Sequence, residues 1–204
     1  MASEADTIYA LATPPGKSAI AVIRISGDRA ATVPGEFAAK CPEAGHFSVQ
    51  TLVDQKGAVI DRVLLLFMAA PHSSTGEDVV EIHCHGGIAV TQTLLTLLAG
   101  FVGLRPAVAG EFTHRMFHNG KTDLLGVESL ADIIDADTGR QLAQAWSQMR
   151  GALRNPVTRW RQAIIKISAE LEAVIDFPDE EIPASVVESL SDGVDALISE
   201  ISSC

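Results

Sequence analysis

Val79-Val80-Glu81-Ile82-His83-Cys84-His85-Gly86-Gly87 alternates polar and apolar side chains and then stops on two glycines. Successive side chains of a strand point to opposite faces, so Val80, Ile82 and Cys84 share one face and Glu81, His83 and His85 the other. Residues 88–101 follow at once, and their length and apolar content predict a helix buried on most sides. A two-faced strand running into a helix points to a mixed α/β unit. Working back from it, residues 7–11, 18–25, 49–53 and 59–68 read as further strands, the first two separated by the turn Thr13-Pro14-Pro15-Gly16. Within 18–25, Arg24 lies on the face of Ile20 and Val22. Ile25-Ser26-Gly27-Asp28 turns into a short helix.

Working forward, the period changes. From Leu142 through Trp146, Met149, Leu153, Val157, Trp160, Ile164, Ile167 and Leu171 to Val174, apolar residues recur at steps of three and four, the stripe of a helix facing a partner. Pro156 interrupts it, either as a kink or as the first turn of a new helix. Another helix is predicted over 124–136, ahead of Asp137-Thr138-Gly139. Pro178 and Pro183 bracket an acidic loop, Asp179-Glu180-Glu181. A last helix carries Val187, Leu190, Val194, Leu197 and Ile201 and meets no glycine or proline stop before Cys204, as expected of a chain that ends inside an element.

Composition sets limits on function. The 204 residues are 47% hydrophobic and 20% charged, enough for one or two globular domains with a core. A net charge of -11 repels a phosphate backbone, so contact with nucleic acid requires a local basic patch or a partner. Arg150, Arg154, Arg159, Arg161 and Lys166 form one positive stretch, open to reading as a solvated helix face or as an RNA or partner contact. Three scattered cysteines, Cys41, Cys84 and Cys204, suit a reducing compartment. The first six residues lack the basic start of a signal peptide, and no apolar run nears the roughly 20 residues of a membrane span. A cytoplasmic location without membrane contact is the expectation.

Several short motifs invite chemistry. Pro15-Gly16-Lys17-Ser18 and Gly120-Lys121-Thr122 end like phosphate-binding loops, but position 11 is leucine and position 115 arginine where the full motif needs glycine, and a strand rather than a helix follows Ser18. Glu81, His83 and His85 share one strand face and offer ligands for zinc; the plainer reading has them hydrogen-bonding in a polar cleft. His114 and His118 have i, i+4 spacing without the intervening acid of a metalloprotease helix. Gly110-Glu111-Phe112-Thr113-His114-Arg115 and Phe117-His118-Asn119-Gly120-Lys121 combine aromatic and charged groups suited to a planar anionic ligand, or form a surface helix capped by Gly120.

Taken together, several blocks resemble the MnmE/TrmE family of tRNA modification GTPases. They are Asp6-Thr7-Ile8, Ala12-Thr13-Pro14-Pro15-Gly16, Ile23-Arg24-Ile25-Ser26-Gly27, Thr75-Gly76-Glu77-Asp78-Val79-Val80-Glu81, His85-Gly86-Gly87, Gly110-Glu111-Phe112-Thr113 with Arg115 and Phe117, Asn119-Gly120-Lys121-Thr122-Asp123-Leu124 and Ile175-Asp176-Phe177-Pro178-Asp179-Glu180-Glu181. The resemblance implies an α+β fold: a mixed-sheet, folate-binding and dimerising domain over 1–120, similar to that of aminomethyltransferases, then the first part of an all-α helical domain over 121–204. It implies a bound 5-formyl- or methylene-tetrahydrofolate, with Arg24, Glu81 and Lys121 matching the family's folate contacts. It also implies homodimerisation, an FAD-dependent partner of the MnmG type, and tRNA reached through that complex, whose wobble uridine receives an aminomethyl or carboxymethylaminomethyl group. The chemistry agrees: a carboxylate such as Glu81 accepts the paired N–H groups of a pterin, and Arg24 and Lys121 suit an anionic tail.

Departures from the pattern matter as well. Ala109 stands where the family usually has proline, and His83-Cys84 replaces a more common small or amide pair. These 204 residues hold no phosphate-binding loop, no Mg²⁺-binding aspartate motif and no guanine-specificity motif, and Cys204 is not the cysteine of the family's Cys-Ile-Gly-Lys end. GTP, Mg²⁺ and K⁺ are therefore expected of full-length members only. The unpaired apolar stripe of the helical part predicts oligomerisation or poor solubility. Two further readings remain: a stand-alone folate-dependent one-carbon transferase using His83, His85 or His114 as acid or base, and a metal-dependent hydrolase built on Glu81, His83 and His85.

Overall fold

The computed structural model describes residues 6–176 and 184–203. The acidic loop Asp179-Glu180-Glu181, its flanking prolines and Cys204 lie outside the described residues, as does the Val187 side chain. The chain divides into two compact units, Met1–Leu124 and Leu125–Cys204.

The first unit is built on strands β1 (Thr7–Leu11), β2 (Ser18–Ser26), β3 (Phe47–Val53), β4 (Val59–Met68), β5 (Val79–Gly86) and β6 (Leu104–Pro106). A single 3-10 turn and the short helix α1 (Val33–Glu36) follow β2; α2 (Ile88–Ala99) follows β5; α3 (Glu111–His118) follows β6. The six strands form one sheet in the order β3-β4-β5-β2-β1-β6. β1 runs parallel to β6, and every other neighbouring pair is antiparallel, so the sheet is mixed as anticipated. Strand β6 is too short to register as a hydrophobic period.

The alternation read from the sequence sets which face is buried. Ile23 and Ile25 of β2, Leu65 of β4 and Ile82 of β5 are fully enclosed, together with Leu94 and Leu98 of α2. Each such side chain contributes about 1.5–3 kcal/mol of burial. α2 departs from expectation: only Leu94 and Leu98 are buried, and Ile88 is 47% exposed. Its apolar residues run nearly all round, but a helix lying on one face of a sheet hides only one stripe. The opposite sheet face carries Arg24, Glu81 and His83, and also the exposed Phe47 and Val49.

The second unit is helical: α4 (Leu124–Asp135, its first residue in the first unit), α5 (Gly139–Met149), α6 (Arg154–Asp176) and α7 (Ala184–Ser202). Thr138 begins α5 with a capping box, its hydroxyl accepting from Gln141 N at 3.3 Å while Gln141 Oε1 accepts from Thr138 N at 2.9 Å. The two possibilities at Pro156 resolve to a new helix. α5 ends at Met149, Arg150 and Gly151 turn the chain, and Pro156 sits in the first turn of α6, where its missing N–H costs nothing. α7 packs along α6, with Arg159 bonded to Glu200 at 2.8 Å.

Candidate functional site

The antiparallel register of β2 and β5 sets Arg24 directly opposite Glu81 on the face turned away from the core. Arg24 Nε donates to Glu81 Oε1 at 2.9 Å, and its Nη2 is 2.8 Å from the same oxygen. The second carboxylate oxygen is 3.1 Å from His83 Nε2. The guanidinium lies 5.8 Å from the centroid of the Phe112 ring of α3, a cation–π contact. Arg24 and Glu81 are thus brought together by strand pairing alone, and the sequence blocks that contain them become neighbours 57 residues apart.

The two histidines of β5 diverge. His85 Nδ1 is 2.7 Å from Asp61 Oδ1, and the His85 backbone N–H donates to Asp61 Oδ2 at 2.8 Å. Burial raises the Asp61 carboxyl, but the backbone and ring hydrogen bonds from His85 and the backbone N–H of Arg62 outweigh it, so its pKa falls below the usual value. His83 goes to Glu81 and His85 to Asp61, and among the described residues no three His, Cys, Asp or Glu side chains converge on a metal position. Cys84 faces the core, where burial pushes its thiol up to about 11.

Lys121 is positioned by a helix end. At the close of α3, Gly120 N donates to Phe117 O at 3.0 Å and Lys121 N to Met116 O at 2.9 Å, the paired bonds of a Schellman motif. Gly120 takes the left-handed φ of +65° that this motif requires. The segment Gly120-Lys121-Thr122 therefore caps a helix. The same turn meets the Thr75-Gly76-Glu77 loop: Asn119 Nδ2 donates to Thr75 O at 2.7 Å, and a Cβ on Gly76 would stand 2.9 Å from Asn119 Cβ. Lys121 Nζ donates to Pro71 O at 2.8 Å and, among the described residues, makes no hydrogen bond to Arg24 or Glu81.

Beside this turn lies a cavity of about 660 Å³, lined by Glu77, Arg105, Glu111, His114, Arg115 and Asn119 among others. Its charged wall is an interlocked set. Arg105 holds both Glu111 oxygens, at 2.6 and 2.9 Å, and Arg115 reaches Glu77 at 2.9 Å, Glu111 at 3.3 Å and the Asp6 carbonyl at 2.7 Å. Ser26 Oγ donates to Glu77 at 2.7 Å. The hydrogen bonds from Arg105 hold the Glu111 carboxyl down to about 2, against the opposing effect of burial. The sequence offered no sign of Arg105 or of this pairing, because the partners sit on separate elements and only the fold joins them. The His114 and His118 rings meet at a tilt of 47°, with centroids 4.4 Å apart.

Comparison with known proteins bears on the whole chain. Residues 7–121 match the family described as the GTP-binding protein TrmE N-terminus, and residues 124–204 match the MnmE helical domain. The chain is 47% identical over 196 residues to the tRNA modification GTPase MnmE of Phenylobacterium zucineum (strain HLK1), covering 96% of this chain and 44% of that protein. The protein of the same description from Caulobacter vibrioides is 45% identical over 196 residues, with the same coverage. That from Rhodospirillum rubrum is 43% identical over 205 residues, covering 94% of this chain and 45% of the relative. The chain thus spans less than half the length of these relatives.

Proposed function

This chain belongs to the MnmE/TrmE family of tRNA modification GTPases, and from that premise we propose that its first 120 residues bind a tetrahydrofolate and dimerise, while 121–204 form part of the helical domain. Arg24, Glu81 and Lys121 are the folate contacts in this reading. The observation that carries it is the Arg24–Glu81 pair, fixed on a rigid sheet face against Phe112. Glu81 Oε1 faces two Arg24 N–H groups, whereas Oε2 has His83 Nε2 as its one neighbour and keeps a lone pair for a pterin N–H group; a second pterin N–H would take the place of one Arg24 bond on Oε1. The Lys121 ammonium spends one of its three donors on Pro71 and keeps two for an anionic tail or formyl oxygen. The exposed Phe47 and Val49 on edge strand β3 support dimerisation through the first unit.

In the full-length protein this module would present a one-carbon unit for modification of the wobble uridine, together with an FAD-dependent partner of the MnmG type, in the cytoplasm. GTP, Mg²⁺ and K⁺ belong to that longer protein. Calorimetric titration with 5-formyltetrahydrofolate tests the reading: binding should be lost, by tenfold or more, in both Arg24→Ala and Glu81→Ala. Undiminished affinity in either variant removes that residue from the site. A stand-alone one-carbon transferase is a second reading, favoured by His85, whose Nδ1 is held by Asp61 while its side chain stays 72% exposed. That arrangement leaves Nε2 to act as a base.

A further inference from the structure

The segment from 138 to 169 holds six of the chain's fifteen Lys and Arg residues and no Asp or Glu. It carries +6, while the rest of the chain carries -17. Helices that are merely solvated intersperse both signs at i, i+4, which this run does not until Glu170. Both tryptophans of the chain, Trp146 and Trp160, lie inside it.

The folded segment orders these groups. Arg140, Ala143, Trp146 and Ser147 lie three or four residues from one another in turn, so they form one stripe along α5, and Arg150 follows at its C-terminal cap. Trp146 is 45% exposed, and Arg150 lies 6.0 Å from its ring centroid. The ring borders a shallow cavity of about 510 Å³ that is also lined by Ser147, Arg150 and Asn155. Among the described residues Arg140, Arg150 and Arg161 carry no ion pair, whereas Arg159 is engaged by Glu200. A half-exposed aromatic ring, a cation over it, hydroxyl and amide groups beside it and the unneutralised Arg140 farther along the same helix face are the parts of a site for an unstacked nucleobase and its flanking phosphates.

We propose that the α5 stripe from Arg140 to Arg150, with Asn155 and the amino-terminal half of α6, is a docking surface for RNA with an exposed single-stranded loop. Trp146 stacks on one base, and Arg140 and Arg150 meet phosphates. The remainder of the chain is acidic and repels the backbone, which confines contact to this surface. The inference deepens the tRNA part of the reading above and is independent of folate binding and dimerisation.

The test titrates the 204-residue chain with a fluorescein-labelled RNA stem-loop, with a fully paired RNA duplex and polyglutamate as comparators. The stem-loop should bind more tightly than either comparator, quench tryptophan fluorescence and weaken with salt. Trp146→Ala should lose about tenfold. Arg140→Gln and Arg150→Gln should each flatten the log–log salt slope by about 0.7. Circular dichroism confirms that the variants keep their helices. Equal binding to polyglutamate would make the surface a dock for acidic protein and overturn the proposal. Absence of stem-loop binding, or full affinity in the Trp146 variant, overturns it equally. Loss of folate binding with RNA binding retained would fault the folate reading alone.

Discussion

Glu111 shows how much one side chain of the first unit depends on its partners. Its carboxylate, with 10% of the side chain exposed, is held by both nitrogens of the Arg105 fork and by the Val108 N–H. Its folded pKa of about 2 lies below the ordinary 4.5, so the charged form contributes about 3 kcal/mol to stability. That contribution is complete above pH 4.5 and is lost as pH falls from there toward 2. Urea denaturation at a series of pH values should therefore show a steep loss of stability in this window. In Glu111→Gln that component should be absent and the protein less stable at pH 7 by 2 kcal/mol or more, about the cost of leaving Arg105 and Arg115 short of a buried partner. An unchanged pH profile would show that the pairing adds nothing. The Glu111 block was visible in the sequence, but its role was not, because Arg105 is joined to it by the fold.

At the scale of elements, local rules account for most of what is seen. β5 was legible from alternation, and α6 from its three–four spacing, since both signals come from side-chain direction within one segment. The start of α5 rests on the Thr138 hydroxyl and the Gln141 side chain. Thr138→Ala should destabilise the helical unit by about 1 kcal/mol in thermal or urea unfolding, and Thr138→Ser should restore it. Equal stability of all three proteins would mean that packing, rather than the cap, fixes this boundary. The misjudged element was α2. Its sequence is apolar around much of its circumference, and only the sheet's geometry decides which stripe is covered.

At the scale of the whole molecule, the exposed apolar groups are the unspent resource. Phe47 is 67% and Val49 54% exposed on an edge strand, a pairing that favours association with a second copy. Analytical ultracentrifugation should show a dimer that Phe47→Asp with Val49→Asp shifts to monomer while the fold persists. A wild-type chain that stays monomeric at high concentration would refute the dimer reading. The sequence by itself determined the division into a mixed-sheet part and a helical part, the strand faces and the family, because period and short motifs are local properties. Tertiary structure alone decided that Arg24 pairs with Glu81, that the histidines of β5 part to different carboxylates, and that Lys121 is set by a helix cap against the Gly76 loop. These are matters of register and of contact between distant segments, which carry no signature until the chain has folded.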